Sequence, residues 1–144
     1  MSNVQELVQN RKGELIGEVR GKTVTTTIKE ISPLGVSISN NSIGQLTGKY
    51  SAAQTQTVNV ILNLDGSSQY EMKAIQNTME GDFVVVTSRG SGKATGPATV
   101  AFEGETVFMT QSKKLAWLNT SKCWIEGTAN NVTGEFQAKF YTQK

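Results

Sequence analysis

Residues 79–109 read MEGDFVVVTSRGSGKATGPATVAFEGETVFM, and this stretch decides the fold class. Two runs rich in valine, phenylalanine and threonine, 82–88 and 98–109, flank a small glycine-bearing segment, 89–97. β-Branched and aromatic residues suit a pleated, half-buried surface, and glycine with proline between two such runs marks a reversal of the chain. The stretch therefore predicts a β-hairpin, with Phe83, Val85, Val100, Phe102 and Phe108 as wall residues and segment 89–97 as a mobile connection and lid. Gly104, between Glu103 and Glu105, predicts a bulge in the second run.

The same grammar extends in both directions. Val58, Val60, Leu62 and Leu64 form a period-two apolar face, and Asp65-Gly66 after them suits the positive φ of a tight hairpin turn. The returning run, 67–76, sets Tyr70, Met72 and Ala74 inward against Gln69, Glu71 and Lys73. Upstream, 42–52 puts Leu46 and Tyr50 on one face, with Gly44 and Gly48 as bulge positions, and Asn40-Asn41 predicts a tight turn. Pro33 ends the run through Val24, Thr26 and Ile28 by withholding an amide donor, and Gly21-Lys22 separates that run from Leu15, Gly17 and Val19. Downstream, SKKLAWLN at 112–119 breaks the alternation, so Leu115, Trp117 and Leu118 predict a helical turn or a plug over one end. Runs 122–128 and 134–142 close the chain, with Phe136, Ala138 and Phe140 on one face. Only at 3–10 does the period shift toward helix, where Val4, Leu7 and Val8 form one stripe behind Ser2 as N-cap.

These elements predict an all-β protein: a single antiparallel β-barrel of about eight to ten strands over residues 13–144, preceded by a short N-terminal helix or arm over 1–12. A barrel is favoured over a sandwich because the strands are long enough to curl, and because closure removes exposed sheet edges. The paired cysteines and tryptophan spacing of immunoglobulin domains are also missing.

Composition narrows the function classes. A chain of 144 residues can bury roughly 68–70% of its unfolded surface, enough for a core without metal or disulfide support. Fourteen Lys and Arg against twelve Asp and Glu give a net charge of +2, without a long block of one sign, so nucleic acid is not an expected partner. With no histidine, every imidazole-based nucleophile pair and the commonest metal ligand are excluded. The single cysteine, Cys123, rules out an internal disulfide and a thiolate zinc cluster, so neither a metal nor a cofactor is expected. No apolar run approaches the ~20 residues of a membrane helix and no signal peptide is apparent, which makes the cytoplasm the expected compartment and a membrane an unexpected partner.

Few groups carry candidate chemistry. The segment RGSGKATG at 89–96 resembles a phosphate loop, but the P-loop pattern needs glycine at Thr87 and Ser or Thr at Ala94. Tyr50, Tyr70, Phe83, Phe102, Phe108, Trp117, Trp124 and Phe140 are the candidate ligand-binding wall, with Phe136 alongside. A barrel of about eight strands is either filled by such side chains or holds one small ligand. Glu126, of one parity with Trp124, and Glu30, of one parity with Val24 and Ile28, are the candidate inward carboxylates; an apolar site would raise their pKa toward a range useful for proton transfer. Tyr70 joins them as a candidate catalytic hydrogen-bonding group, while Glu71 and Glu103 share parity with polar neighbours. Cys123 alternates with Trp124 and reads as a packing residue.

The order of strands, the glycine-bearing hairpins, and EGDFVVVTSRGSGKATGPATVAFEGETVFM followed by KLAWLN resemble the small calycin-like barrels, in particular proteins of allene oxide cyclase-like architecture. The likeness spans most of 13–142 and lies in pattern. It implies a barrel with an apolar interior, self-association into a homo-oligomer, and hydrophobic small molecules as ligands. The leading expectation is a non-catalytic barrel binding a hydrophobic small molecule. The alternatives are a cofactor-independent isomerase or cyclase using a buried Glu or Tyr, and a structural or self-assembly module.

Overall fold

The computed structural model describes residues 12–143; the helix expected over 3–10 lies outside the described residues. Eight strands follow one another as a meander: β1 (Lys12–Ser32), β2 (Gly35–Gly48), β3 (Ala52–Asn63), β4 (Ser67–Asn77), β5 (Phe83–Ala94), β6 (Thr99–Thr110), β7 (Cys123–Asn130) and β8 (Glu135–Gln143). Each pairs antiparallel with the next, and β8 returns to β1, so the sheet closes into an eight-stranded barrel.

Several local expectations change. Gly21-Lys22 does not divide β1, which runs unbroken for 21 residues because Gly21 pairs with Gly44 on one side and Phe136 on the other. The Asn40-Asn41 turn is absent: both residues sit inside β2, opposite Thr26 and Thr25. Their amides are held across strands, Asn41 donating to Thr25 Oγ1 at 3.1 Å and accepting from Thr57 Oγ1 at 2.7 Å, which offsets their poor strand propensity. The reversal between β1 and β2 falls at Pro33-Leu34, where Pro33 ends the run as expected.

Bulges fall elsewhere too. Register slips along β1 on its β2 side, between Thr23 and Thr25 and between Ile28 and Glu30, while Gly44 and Gly104 sit in unbroken ladders. Those glycines serve close approach: a Cβ on Gly104 would overlap the Tyr70 hydroxyl, and one on Gly21 would stand 2.7 Å from Phe136 Cζ. Segment 89–97 is largely strand, since Arg89 to Ala94 continue β5 opposite β6, leaving residues 95–98 as the connection; the long mobile lid is thereby lost.

The reversal at Asp65-Gly66 forms, but as a three-residue turn over 64–66 rather than a two-residue one: only Gly66 takes positive φ, at 91°, while Asp65 Oδ1 accepts from the Ser67 amide and hydroxyl at 2.9 and 2.6 Å. Leu64 is in that turn and 75% exposed, so it drops out of the inward face.

One end of the barrel is plugged. The link between β6 and β7 folds into a 3₁₀ helix, Ala116–Thr120, that lowers Leu115 and Leu118 into the core. Asn119 clamps it to β6, accepting from the Thr110 amide at 2.8 Å and donating to the Thr110 carbonyl at 2.9 Å. Beneath lie Ile16, Leu46, Tyr50, Val84, Phe108 and Phe140, all buried. Phe108 and Phe140 meet edge to face with centroids 5.3 Å apart. Burying each such ring contributes about 1.5–3 kcal/mol, and their pairing about 0.5–1.5 kcal/mol more.

Candidate functional site: a cavity in the unplugged half of the barrel

The hairpin turns β1–β2, β3–β4, β5–β6 and β7–β8 gather at the end opposite the plug, as a meander requires. In this half the interior side chains leave a cavity of about 150 Å³. Its walls are aliphatic and aromatic: Ile38 from β2, Val58, Val60 and Leu62 from β3, Val100 and Phe102 from β6, and Phe136 from β8. The inward residues of β3 run Gln54, Gln56, Val58, Val60, Leu62 from the plugged half toward the hairpin tip, so the cavity has a polar floor and mainly apolar walls, with Thr23, Asn40 and Asn131 as further polar lining. Ser42, opposite Gln56 across β2–β3, joins that floor and lies 3.4 Å from Thr23 Oγ1.

Tyr70 is the expected site residue that the cavity keeps with its polar group. Its ring stands edge to face with Phe102 at 5.9 Å, and its hydroxyl lies 3.1 Å from Ser88 Oγ. Ser88 gives its own hydrogen to the Glu105 carbonyl at 2.8 Å, so Tyr70 donates to Ser88. Burial pushes the Tyr70 phenol up to about 12, with Glu103 adding to the rise and the Ser88 bond opposing it. The group is neutral at physiological pH, suited to hydrogen bonding rather than to proton abstraction.

The other expected wall residues divide. Phe102 lines the cavity with Tyr70. Tyr50, Phe108 and Phe140 face inward but fill the plugged half. Trp117 is half-buried on the plug, with Lys49 Nζ 5.5 Å from its ring centroid. Phe83 opens β5 on the outside, 49% exposed. Trp124 is buried, but Ile125 and Ala129 of its strand line the cavity, so the odd positions of β7 face inward and Trp124 does not.

That parity also relocates the carboxylates. Glu126, in register with Trp124, lies on the outer wall and is ion-paired with Lys12 at 2.8 Å. Glu30 is exposed beyond the second slip of β1, where the extra residue has switched its face. Neither they nor any other described Asp or Glu lines the cavity. Cys123 faces inward at the plugged end, and burial pushes its thiol up to about 11, leaving it protonated.

Sequence reasoning missed Gln54 and Gln56. Their parity with Val58 was visible in QTQTVNVILN, but the polar side chains hid the continuation of the inward face. The structure links them: Tyr50 Oη to Gln76 Oε1 at 2.5 Å, Gln76 Nε2 to Gln54 Oε1 at 2.8 Å, and Gln54 Nε2 to Gln56 Oε1 at 2.7 Å. This buried chain crosses from the plugged half to the cavity floor.

The fold and cavity define a closed, eight-stranded, antiparallel β-barrel plugged at one end and partly hollow at the other. No family model and no curated protein matches the chain. Solved structures do. The chain is similar to a protein of unknown function from Clostridium acetobutylicum ATCC 824, at 13% identity over 90% of this chain and 96% of that one, with a TM-score of 0.79. It is similar to a β-barrel-like protein from Acinetobacter baumannii AYE, at 17% identity over 91% and 94%, with a TM-score of 0.73. It also matches an enzyme from Penicillium herquei, at 18% identity over 93% and 96%, with a TM-score of 0.69. At these identities the likeness establishes the fold alone. No helix among the described residues is long and apolar enough to cross a membrane.

Proposed function

We propose that this protein is a binding barrel that takes one small hydrophobic molecule into the unplugged half of its interior. The carrying observation is the mainly apolar space of about 150 Å³ in a barrel whose other half is capped by the plug over a buried hydrophobic core. An apolar cavity of about this size holds a single ring such as benzene. The resemblance to allene oxide cyclase-like barrels, with their apolar interiors, supports the same reading. Native mass spectrometry and displacement of an apolar dye by single-ring hydrophobes test it. Saturable, one-to-one occupancy is expected; no occupancy across such a panel overturns it.

Two other readings have specific support. The Penicillium herquei neighbour is described as an enzyme, which is compatible with a cofactor-independent isomerase or cyclase. With Glu30 and Glu126 on the outside, such chemistry would rest on Tyr70 rather than on a carboxylate, its hydroxyl turning from Ser88 to donate to the substrate. Self-association is supported by an outward row across adjoining strands, Ile43, Thr55, Ile75, Val85 and Met109, flanked by exposed Phe83 and Val107. Light scattering of the double variant V85K/M109K tests it: a dimer should fall to monomer, and a wild-type monomer refutes it.

A further inference from the structure

Every hydrogen bond in the buried chain runs one way. The partner of the Tyr50 hydroxyl is Gln76 Oε1, an oxygen that only accepts, so Tyr50 donates. That fixes the amides in turn: Gln76 accepts from Tyr50 and donates to Gln54, and Gln54 donates to Gln56 Oε1. The chain ends at Gln56 Nε2, whose hydrogens have no partner among the described residues. Gln56 is only 8% exposed, and its remaining opening is the cavity. An accepted bond at one end of an amide polarises the other, so the free end is a strengthened donor in a place of low dielectric. The nitrogen opens onto the cavity, where the aliphatic and aromatic walls offer it no acceptor and further polar lining groups are Thr23, Asn40, Ser42, Gln54 and Asn131.

We infer that the cavity selects single-ring hydrophobic molecules carrying a hydrogen-bond acceptor, such as an aryl ketone, which enter acceptor-first so that their oxygen meets Gln56 Nε2 while the ring lies between Val60 and Phe102. This rests on the binding reading above and assigns Gln56 as the specificity-determining residue. The walls supply affinity for the ring, and the floor rejects a ligand that leaves the amide unpaired.

The probes are acetophenone and ethylbenzene, alike in ring and length and differing in carbonyl against methylene. Dissociation constants for both are measured on the wild type and on Gln56→Leu. The ratio of ethylbenzene to acetophenone constants is expected to fall about tenfold in the variant, the loss of one buried hydrogen bond read through a double-difference cycle. Independently of any variant, the infrared carbonyl stretch of acetophenone bound to the wild type should lie below its value in an apolar solvent. Binding of both probes with an unchanged ratio, or an unshifted carbonyl stretch, overturns this inference and leaves the binding barrel standing. Binding of neither probe removes both.

Discussion

Gly104 lies directly beneath Tyr70: a Cβ at that position would overlap both the Tyr70 hydroxyl and the Arg89 carbonyl oxygen. The absent side chain lets β6 pass close enough for Tyr70 to reach Ser88. Gly104→Ala should dislodge that hydroxyl, lower stability by about 1–3 kcal/mol as overpacked interiors do, and weaken binding of an apolar dye. In Gly96→Ala the added methyl would meet only Thr99 Oγ1, at 2.9 Å, and the change should be near neutral. Thermal melts of the two variants check the difference; equal melting temperatures would contradict it.

Alkali should act on the groups that burial keeps neutral. The Cys123 thiol is pushed from 9.0 up to about 11 and the Tyr70 phenol from 10.0 up to about 12, with Tyr50 raised further still. In each the protonated form is uncharged, and the unfolded chain ionises first. Their contribution to stability is therefore complete below about pH 9 and is lost as pH rises through the folded values. Denaturant midpoints measured at stepped pH should decline from about pH 9 upward. Tyr70→Phe should flatten the decline above pH 10. A flat wild-type profile would show that these groups titrate freely in the fold.

Position along the buried amide chain should matter more than residue type. Gln76→Leu strands the Tyr50 hydroxyl and Gln54 Oε1 together, at about 1–3 kcal/mol for each buried group left unpaired. Gln56→Leu strands only Gln54 Nε2. Urea denaturation should find the first variant clearly less stable than the second; the reverse order would mean the chain carries no weight in folding.

Filling the hollow half should separate binding from folding. Ala129 is small, lines the cavity and sits between Val100 on β6 and Phe136 on β8. Ala129→Trp should abolish dye binding while the far-ultraviolet spectrum stays that of a barrel. Retained affinity would place the ligand elsewhere.

The fold was legible because its signals are local. Val58 to Leu62, the Asp65-Gly66 turn and the Tyr70–Ala74 return each declare their state within a few residues. Asn40-Asn41 misled because what holds them in a strand is donated by Thr25, Thr26 and Thr57 on neighbouring strands. Site residues were harder for a related reason. Parity along one strand says which residues share a face but not which face is inside, so Trp124 and Glu126 were assigned inward when Ile125 is. The slips in β1 then reversed the face of Glu30 without any glycine to mark them. Parity did extend the β3 face to Gln54 and Gln56, but only their mutual bonding shows that polar side chains can serve as a floor.

The β1–β8 seam sets the order of events in folding. Seven of the eight strand pairings join consecutive strands, whereas the seam brings Lys12 to Gln143 and Lys22 to Glu135 across nearly the whole chain. Short-loop pairings form early, and the one distant closure carries the largest entropic cost. Until it forms, Val19 on β1 and Phe136 and Ala138 on β8 stand on opposite ends of an open sheet, and the hollow they share does not yet exist. A ligand can then recognise only the finished barrel, so occupancy should slow unfolding while leaving the rate of refolding untouched.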